Sequence, residues 1–215
     1  MHSASGALSS LLAEGAEQLR IDLTPKVSQR LIEYLGLMVK WNKAYNLTAI
    51  RDPDEMMIRH ILDSLAVSPH CLEGHVLDVG AGAGLPSVVL AITNPQRAVT
   101  AIDSNSKKTR FLRQVAIELS LDNLNVEHSR VESFMPVQPF AIVISRAFSS
   151  LVDFVHVAQR LVYPGGRMLA MKGRYPTDEL EHAAPLCDIS DVVKLSVPFL
   201  SEERHLVIAH PKDSS

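Results

Sequence analysis

The sequence has few cysteines and no long apolar run. Its 215 residues include two cysteines, Cys71 and Cys187, which are too few for a disulfide framework and are typical of a protein in a reducing cytoplasm. No apolar run approaches the roughly 20 residues that span a bilayer, and the N-terminus lacks the basic start and apolar stretch of a signal peptide. We therefore expect a cytoplasmic protein with no membrane partner.

The sequence also lacks an excess of positive charge. The formal net charge is -3, whereas proteins that hold nucleic acid through its phosphates usually carry a basic excess. This balance disfavours a dedicated nucleic-acid-binding protein, although it leaves room for a local basic face. The distribution of charge along the chain therefore matters more than its sum.

The nine histidines follow no metal-binding pattern. His70, Cys71 and His75 are close together but fit no usual zinc spacing. The sequence also has no arrangement of Ser, His and Asp, or of Cys and His, that is typical of a nucleophilic catalyst. We therefore expect neither a bound metal nor a nucleophilic catalytic residue.

Apolar material is plentiful, because hydrophobic residues make up 47% of the chain and can form a full core. The length fits a single domain over residues 21–215. Residues 1–20 begin with small and polar side chains, and we expect them to be a flexible N-terminus. Residues 21–70 are predicted to form a helical extension of the core, which itself covers residues 71–215.

Apolar spacing predicts helices first and alternating strands and helices afterwards. One helix begins at Thr24-Pro25 and runs to about Trp41, and another begins at the capping residue Asp52. The later helices are predicted at 86–92, 106–119, 151–161 and 178–182, and the strands at 75–79, 98–103, 124–127, 141–145, 167–171, 191–197 and 204–209. This alternation predicts an α/β fold with a mainly parallel seven-stranded sheet, ending in an antiparallel hairpin.

A glycine-rich turn follows the first predicted strand and has the sequence Asp78-Val79-Gly80-Ala81-Gly82-Ala83-Gly84. Ligands of parallel sheets bind beyond the carboxyl ends of the strands, and glycines let a ligand approach the backbone closely. A dinucleotide fingerprint needs glycine at position 85, where Leu85 stands, and Pro86 then lies in the first helical turn. A pyrophosphate needs open amides at that helix start, whereas S-adenosylmethionine has no phosphate.

The turn therefore favours S-adenosylmethionine over a dinucleotide. A tight turn without any ligand is the alternative. The candidate cofactor-binding residues of this turn are Asp78, Gly80, Gly82, Gly84 and Leu85.

Polar residues follow the second and third predicted strands. Asp103 ends the second strand, where a carboxylate can accept hydrogen bonds from the ribose hydroxyls of a nucleoside. Capping the helix that starts at Ser106 is the alternative role of Asp103. Val131 and Glu132 follow the third strand and fit a turn over an adenine ring, although a solvated turn is an equally good interpretation.

Basic residues gather at the same rim of the predicted sheet. Arg146 directly follows the fourth strand, where a guanidinium can pair with a carboxylate, a phosphate or a guanine edge; a structural salt bridge is the alternative. The candidate RNA-binding residues are Lys107, Lys108, Arg110, Arg113, Lys172 and Arg174. The helical extension either adds Lys40, Lys43, Arg51 and Arg59 to this surface or only covers an edge of the sheet.

Several stretches of the chain resemble one protein family. These stretches are WNKAYNLTAI (41–50), RHILDSL (59–65), VLDVGAGAGLP (76–86), KTRFLRQVAIEL (108–119), SRVESF (129–134), ISRAFSSL (144–151), GGRMLAMKG (165–173) and RHLVI (204–208). Over about residues 20–210 the chain resembles the bacterial RsmG family, formerly GidB, of 16S rRNA 7-methylguanosine methyltransferases. RHILDSL and SRAF make the resemblance specific within the wider methyltransferase superfamily.

The resemblance implies a Rossmann-like class I methyltransferase fold and methylation of N7 of guanine 527 in the 530 loop of 16S rRNA, in the RNA itself or in a 30S assembly intermediate. It implies that S-adenosylmethionine is bound with Asp103 near the ribose and with contacts from Gly80, Leu85, Val131, Glu132 and Arg146. Guanine N7 has an exposed lone pair, so we expect no general base. Arg146 is the first candidate for orienting the reactants, and Lys172 is the second.

Three other functions stay open from the sequence. A methyltransferase of small molecules has the same fold and glycine turn, but the basic rim disfavours it. A nicotinamide-dependent oxidoreductase is disfavoured by Leu85 and Pro86. A noncatalytic RNA-binding protein on this fold is disfavoured by the intact glycine turn together with Asp103.

Overall fold

The computed structural model describes residues 2–71, 73–148 and 150–212. The N-terminal elements are helices α1 (His2–Gln18), α2 (Pro25–Tyr45) and α3 (Pro53–Met56), a π-helical turn (Met57–Leu62), helix α4 (Asp63–Val67) and a 3-10 turn (Ser68–His70). Strands and helices then alternate as β1 (Val76–Val79), α5 (Ser87–Thr93), β2 (Val99–Asp103), α6 (Ser106–Glu118), β3 (Leu124–His128), a 3-10 turn (Val131–Ser133), β4 (Phe140–Ser145), α7 (Leu151–Ala158), β5 (Val162–Lys172), α8 (Thr177–Ala183), β6 (Cys187–Leu195) and β7 (Arg204–Pro211).

The seven strands form one sheet in the order β3-β2-β1-β4-β5-β7-β6. Strands β3, β2, β1, β4 and β5 pair in parallel, whereas β7 runs antiparallel to both β5 and β6. The predicted fold class is therefore confirmed, including the closing hairpin. The chain changes direction across the sheet between β1 and β4, and such a switch point is where open parallel sheets bind ligands.

Helices cover both faces of the sheet. Because side chains alternate along a strand, Val76 and Ile142 face a cluster that includes α2, α5 and α6, whereas Leu77 and Val143 face a cluster that includes α7 and α8. All four side chains are fully buried. Burial of both faces agrees with the β-branched sequence of the central strand β4.

Helix α2 attaches the helical extension to one face of the sheet. The Thr24 hydroxyl caps its start by accepting a hydrogen bond of 3.3 Å from the Val27 amide. Leu31, Leu35 and Met38 are buried in the same cluster as the helices on that face. The extension therefore shares the core of the sheet. Each such side chain contributes roughly 1.5–3 kcal/mol to the free energy of unfolding when it is fully buried.

Residues 2–18, which are expected from the sequence to be part of a flexible N-terminus, form helix α1. Leu12 is buried in the core, and a Cβ on Gly15 would lie 2.6 Å from the Cδ1 atom of Leu62. The small residues of this segment thus permit close packing against the π-helical turn. Met1, which the same expectation included, lies outside the described residues.

Strand β5 begins at Val162, before the predicted range of 167–171, and α7 stops at Ala158 rather than at 161. Pro164-Gly165-Gly166 forms a bulge inside β5. Gly165 has a φ of 82°, and a Cβ on Gly166 would lie 2.8 Å from the carbonyl oxygen of Ala141. Glycine is needed here because β4 approaches the bulge closely.

Strand β6 begins before the predicted range of 191–197. It pairs with β7 from Cys187 to Leu195, with a shift of register between Ile189 and Asp191. The shift interrupts the alternation of apolar and polar side chains, and this hides the start of the strand in the sequence.

Candidate active site

Three clefts lie along the rim where the parallel strands end. The first cleft, of about 310 Å³, is lined by Val79, Gly80, Ile102, Asp103, Ser104, Lys108, Ser129, Arg130, Val131, Glu132, Ala147 and Phe148. The middle cleft, of about 160 Å³, is lined by Leu47, Thr48, His60, Gly80, Ala81, Gly82, Ala83, Leu85, Arg146 and Ala147. The basic cleft, of about 320 Å³, is lined by Ile50, Arg59, His60, Asp63, Arg146, Met171, Lys172, Gly173 and Arg204.

The three clefts are neighbours along the rim and share lining residues. Gly80 and Ala147 line both the first and the middle cleft. His60 and Arg146 line both the middle and the basic cleft. Together the clefts form one trough, with backbone at one junction and a guanidinium at the other.

The glycine turn supplies the wall between the first and the middle cleft. Gly80 and Gly82 have φ angles of 70° and 60°, which other residues adopt only with strain. A Cβ on Gly80 would lie 2.8 Å from the Cβ of Ala147. Glycine therefore lets the chain segments after β1 and β4 pack closely side by side, at the place where both line the trough.

Gly84 packs against helices rather than lining the trough. Its φ is 93°, and a Cβ there would lie 2.3 Å from Cγ2 of Val88 and 2.7 Å from Cδ2 of Leu112. The Tyr34 hydroxyl of α2 donates a hydrogen bond of 2.6 Å to the neighbouring carbonyl oxygen of Ala83. Sequence reasoning missed Tyr34, because its place in the apolar spacing of α2 marks it only as a core residue.

Asp103 holds the glycine turn and faces the first cleft. Its Oδ2 accepts a hydrogen bond of 2.9 Å from the Gly82 amide, and its Oδ1 accepts one of 2.8 Å from the Asn105 amide. Lys108 lies 3.7 Å from the same carboxylate. Asn105, rather than Asp103, caps α6 by accepting from the Lys107 amide, so the alternative capping role of Asp103 is not needed.

Asp78 lies beneath the glycine turn and does not line any of the three clefts. Its carboxylate is completely buried, and Oδ2 accepts a hydrogen bond of 3.0 Å from the Ser87 amide at the start of α5. Burial raises the pKa of Asp78 to about 6. This placement corrects the expected cofactor contact: Asp78 positions the turn from below.

The turn after β3 forms the far wall of the first cleft. Val131 and Glu132 line the cleft from a 3-10 turn. Arg160 braces this turn by donating hydrogen bonds to the carbonyl oxygens of Val131 and Phe134, the second at 2.9 Å. The structure thus brings both predicted residues to the same cleft as Asp103.

Arg146 lies at the junction of the middle and the basic cleft. Ser145 places it there by donating a hydrogen bond of 2.7 Å to the Val79 carbonyl oxygen, which ties the end of β4 to that of β1. The guanidinium pairs with Oδ2 of Asp63 at 3.1 Å and donates to the carbonyl oxygen of Arg59 at 3.3 Å. Burial raises the pKa of the Asp63 carboxyl, and the Arg146 guanidinium opposes this shift.

The π-helical turn brings His60 to the trough. Nε2 of His60 lies 2.9 Å from the Thr48 hydroxyl, and Nδ1 lies 3.0 Å from the carbonyl oxygen of Arg59. Asn42 holds the loop that carries Thr48. Its side chain accepts a hydrogen bond from the Thr48 amide and donates one to the Ile50 carbonyl oxygen. Burial and then the neighbouring guanidinium lower the pKa of His60 to about 4, so the ring is neutral at pH 7.

Lys172 and Arg204 lie at the basic cleft but differ from the expected RNA surface. Lys172 is buried, and its ammonium contacts Glu179 at 2.7 Å and the Phe148 carbonyl oxygen at 3.2 Å. Lys172, a predicted RNA-binding residue, is thus already paired within the protein. Sequence reasoning missed Arg204, because it stands at the start of a strand rather than at the end of one. Strand β7 is antiparallel to β5, so the start of β7 lies at the same rim as Lys172 at the end of β5.

The other predicted RNA-binding residues have different environments. Lys107, Arg110 and Arg174 are exposed. Arg113 is also exposed but donates a hydrogen bond of 3.3 Å to the Val126 carbonyl oxygen. Lys108 faces the first cleft, beside the carboxylate described above.

The basic residues of the helical extension also differ from one another. Lys40 and Lys43 are exposed on α2. Arg51 donates hydrogen bonds to the carbonyl oxygen of Asn42 and to Oδ1 of Asn46. Arg59 pairs with Glu55 at 2.6 Å and with Glu202 at 2.7 Å, so two carboxylates offset its charge.

Within residues 2–71, 73–148 and 150–212, no group of three or more His, Cys, Asp and Glu side chains is placed to hold a metal ion. No helix in this part of the chain is both long and apolar enough to cross a membrane.

Solved structures share this fold at low sequence identity. TrmN from Thermus thermophilus superposes with a TM-score of 0.57 at 17% identity, over 79% of this chain and 53% of that one. A ribosomal protein L11 methylase from Lactobacillus delbrueckii subsp. bulgaricus superposes with a TM-score of 0.56 at 15% identity, over 70% of this chain and 77% of that one. The fold is that of the class I methyltransferases.

Sequence comparison is more specific than the fold. The family model described as GidB, rRNA small subunit methyltransferase G, matches residues 27–207. Proteins named ribosomal RNA small subunit methyltransferase G are 50% identical in Pseudomonas putida, over 94% of both chains, and 51% identical in Pseudomonas paraeruginosa, over 92% of both chains. The chain therefore belongs to the rRNA small subunit methyltransferase G family, and it is a methyltransferase that uses a methyl donor.

Proposed function

We propose that this protein transfers a methyl group from S-adenosylmethionine to N7 of guanine 527 in the 530 loop of 16S rRNA. Its membership of a family described as rRNA small subunit methyltransferases supports this substrate. The arrangement of the three neighbouring clefts carries the proposal, because methyl transfer needs a donor site and an acceptor site that adjoin each other. Here the clefts meet at Gly80 and at Arg146.

The residues of the first cleft fit S-adenosylmethionine. Gly80 lines the first cleft with backbone atoms alone, so a ligand can approach the chain closely there. Asp103 is nearly buried yet lines the cleft, so its carboxylate can accept hydrogen bonds from ribose hydroxyls. Val131 and Glu132 then border the adenine.

The middle cleft suits the methionine portion of the cofactor, with Gly82 and Leu85 in its wall. When bound, S-adenosylmethionine supplies a sulfonium methyl group, whose carbon a lone pair attacks in line with the S–C bond, so that the sulfur leaves as a neutral thioether. Guanine N7 provides this lone pair without losing a proton. The positive charge passes to the purine as the new N–C bond forms and the S–C bond breaks.

Arg146 orients the acceptor base in this proposal. Asp63 and the Arg59 carbonyl oxygen fix its guanidinium at the entrance to the basic cleft. From there a guanidinium can donate to the guanine O6, which is next to N7. Such orientation raises the rate by holding the reacting atoms roughly 3–3.5 Å apart. No base is needed, because N7 loses no proton. His60 is buried and engaged by Thr48, so it is not placed as a base.

The target base must leave its helix to reach the trough. Guanine N7 faces the deep major groove of A-form RNA, which side chains do not enter, so the base lies in a loop or is splayed out. Exposed cations lie close in the chain to residues that line the trough: Lys107 and Arg110 are next to Lys108 on α6, and Arg174 follows Gly173 after β5. These side chains are suited to the phosphates of the flanking strand.

Methyl transfer to rRNA tests the proposal directly. Undermethylated 16S rRNA, 30S assembly intermediates and finished 30S subunits would each be incubated with the protein and tritium-labelled S-adenosylmethionine. The modified base would then be located by strand cleavage at 7-methylguanosine. An Asp103→Ala variant gives the background, because it lacks the carboxylate that faces the first cleft.

We expect label at a single guanine N7, at position 527, in at least one of the three RNA substrates. Label on another atom or base would preserve the methyltransferase class but contradict the target. Label that appears only in small molecules of a cell extract would instead favour the small-molecule methyltransferase.

A further inference from the structure

The basic cleft contains a second guanidinium that the transfer step does not use. Arg204 lines this cleft but neither the middle nor the first cleft. It begins β7, whose antiparallel pairing with β5 brings residue 204 to the rim where the parallel strands end. The side chain therefore faces the acceptor end of the trough only.

One buried carboxylate serves both arginines of the basic cleft. Oδ2 of Asp63 lies 3.1 Å from Nη1 of Arg146, and Oδ1 lies 3.2 Å from Nε of Arg204. Asp63 is only 1% exposed. Two guanidinium charges thus share one carboxylate, which leaves one unit of positive charge at the floor of the cleft.

The other cations of the cleft have carboxylates of their own. Lys172 pairs with Glu179 at 2.7 Å. Arg59 pairs with Glu55 and Glu202, and this cluster lies at the exposed edge, where solvent and salt screen its field. The excess charge is therefore located at Arg146 and Arg204, beside the apolar side chains of Ile50 and Met171 that also line the cleft.

We infer that Arg204 binds a phosphate of the target nucleotide, while Arg146 faces its base. A phosphate group supplies the negative charge that completes the cleft, and Arg204 can donate to its oxygens through Nη2, because Nε contacts Asp63 and Nη1 donates to the carbonyl oxygen of Glu203 at 2.8 Å. Asp63 fixes the spacing of the two arginines, so the base and the phosphate of one nucleotide are held together. This inference rests on the proposed guanine substrate.

The methionine carboxylate of the cofactor is the other anion that the trough must hold. It would reach the arginines through the middle cleft, which Arg146 lines and Arg204 does not. Arg204 should therefore raise the affinity for a nucleotide with a phosphate over that for the nucleoside without one, and should leave the affinity for the cofactor unchanged.

Calorimetric titration with guanosine 5'-monophosphate and with guanosine tests the assignment. The proteins are the wild type, Arg204→Gln, Arg204→Lys and Lys194→Gln, each titrated with the two compounds at fixed S-adenosylmethionine and, separately, with S-adenosylmethionine alone. Lys194 is the matched control, because it lies on the same hairpin but pairs with Glu203 at 2.9 Å on the exposed surface. Circular dichroism and Tm verify that each variant is folded.

The wild type and Lys194→Gln should bind the monophosphate about tenfold more tightly than guanosine, which is the effect of one charge-assisted contact. Arg204→Gln should lose this preference, Arg204→Lys should retain part of it, and all four proteins should bind S-adenosylmethionine within about twofold of one another. Equal affinity of the wild type for both compounds, an unchanged preference in Arg204→Gln, or a matching loss of cofactor affinity would each overturn the assignment.

The same proteins would be assayed for methyl transfer to 16S rRNA. If the wild type prefers the monophosphate through Arg204 but does not methylate rRNA, the proposed function fails while the phosphate site stands. If rRNA is methylated at guanine N7 but the preference does not depend on Arg204, only the phosphate site fails.

Discussion

The hydroxyl of Tyr34 donates a hydrogen bond of 2.6 Å to the carbonyl oxygen of Ala83, and this contact ties helix α2 to the glycine turn. Tyr34 is completely buried, and burial raises its pKa well above the usual value, so the hydroxyl keeps its proton. The helical extension therefore helps to shape the proposed cofactor site as well as covering the sheet.

Tyr34→Phe should weaken cofactor binding and lower the free energy of unfolding by about 1–2 kcal/mol, because the buried Ala83 carbonyl loses its side-chain donor. Calorimetric titration with S-adenosylmethionine and urea denaturation measure the two effects. Tyr45→Phe, in the same helix, is the control, since its ring packs on Trp41. Equal effects of both substitutions would contradict the role of the hydroxyl.

Asp63→Ala should lower the free energy of unfolding by about 3 kcal/mol, because Arg146 and Arg204 would then face each other without their shared carboxylate. Glu55→Ala removes a carboxylate from an exposed pair with Arg59 and should cost less than about 1 kcal/mol. Urea denaturation at neutral pH compares the two variants. A cost below that of Glu55→Ala would contradict the central position of Asp63.

Arg146→Ala should reduce methyl transfer by about 100-fold or more, the loss that accompanies misplaced reactants. The variant should still fold, because Arg204 remains paired with Asp63 at 3.2 Å. Single-turnover assays measure the transfer step. Arg30→Ala is the control and should retain full activity, because Arg30 lines a cavity next to Pro95, away from the trough. Near wild-type transfer by Arg146→Ala would refute the orienting role of Arg146.

Acid should destabilise the protein through His60. Its pKa is about 4 in the folded protein, against 6.5 for a free side chain, so between these values only the unfolded state binds the proton. The free energy of unfolding contributed by His60 is fully present above pH 6.5 and falls by about 3 kcal/mol as the pH is lowered to 4.

Asp78 changes the free energy of unfolding in the opposite direction over nearly the same pH range. Its pKa is raised by burial to about 6 in the folded protein, so the folded state binds the extra proton and gains stability as the pH falls. Urea denaturation of wild type and His60→Gln from pH 7 to pH 4 isolates the histidine, because both proteins retain Asp78. Parallel pH curves for the two proteins would contradict the prediction.

The salt dependence of RNA binding should report the exposed cations of α6. Lys107→Glu together with Arg110→Glu should reduce the slope of log affinity against log salt by roughly 1–2, since each lost phosphate contact removes about 0.7–0.9. Filter binding of 16S rRNA between 50 and 200 mM salt gives the slope. Lys26→Glu, at the start of α2 and beside the same cavity as Arg30, should leave it unchanged. An unchanged slope in the α6 variant would refute the proposed RNA surface.

The elements that could be predicted are those with a local signal. The glycine turn, Asp103 and Arg146 were found because a ligand of a parallel sheet binds where the strands end, and strand ends can be read from apolar runs. The strand that carries Pro164-Gly165-Gly166 was misjudged at its start, because these residues usually break structure. Here they form a bulge inside β5, which becomes visible only in the pairing of β5 with the neighbouring strand β4.

The sequence by itself determined the order of strands and helices, the turn that favours S-adenosylmethionine over a dinucleotide, and the resemblance to one methyltransferase family. Such features depend on residues within a few positions of each other. Only the tertiary structure decided that Asp78 lies under the turn, that Lys172 is paired internally, and that Asp63 holds two arginines. Arg146 and Asp63 are 83 positions apart, so their contact, and the charge it leaves on Arg204, exist only once the extension has packed on the sheet.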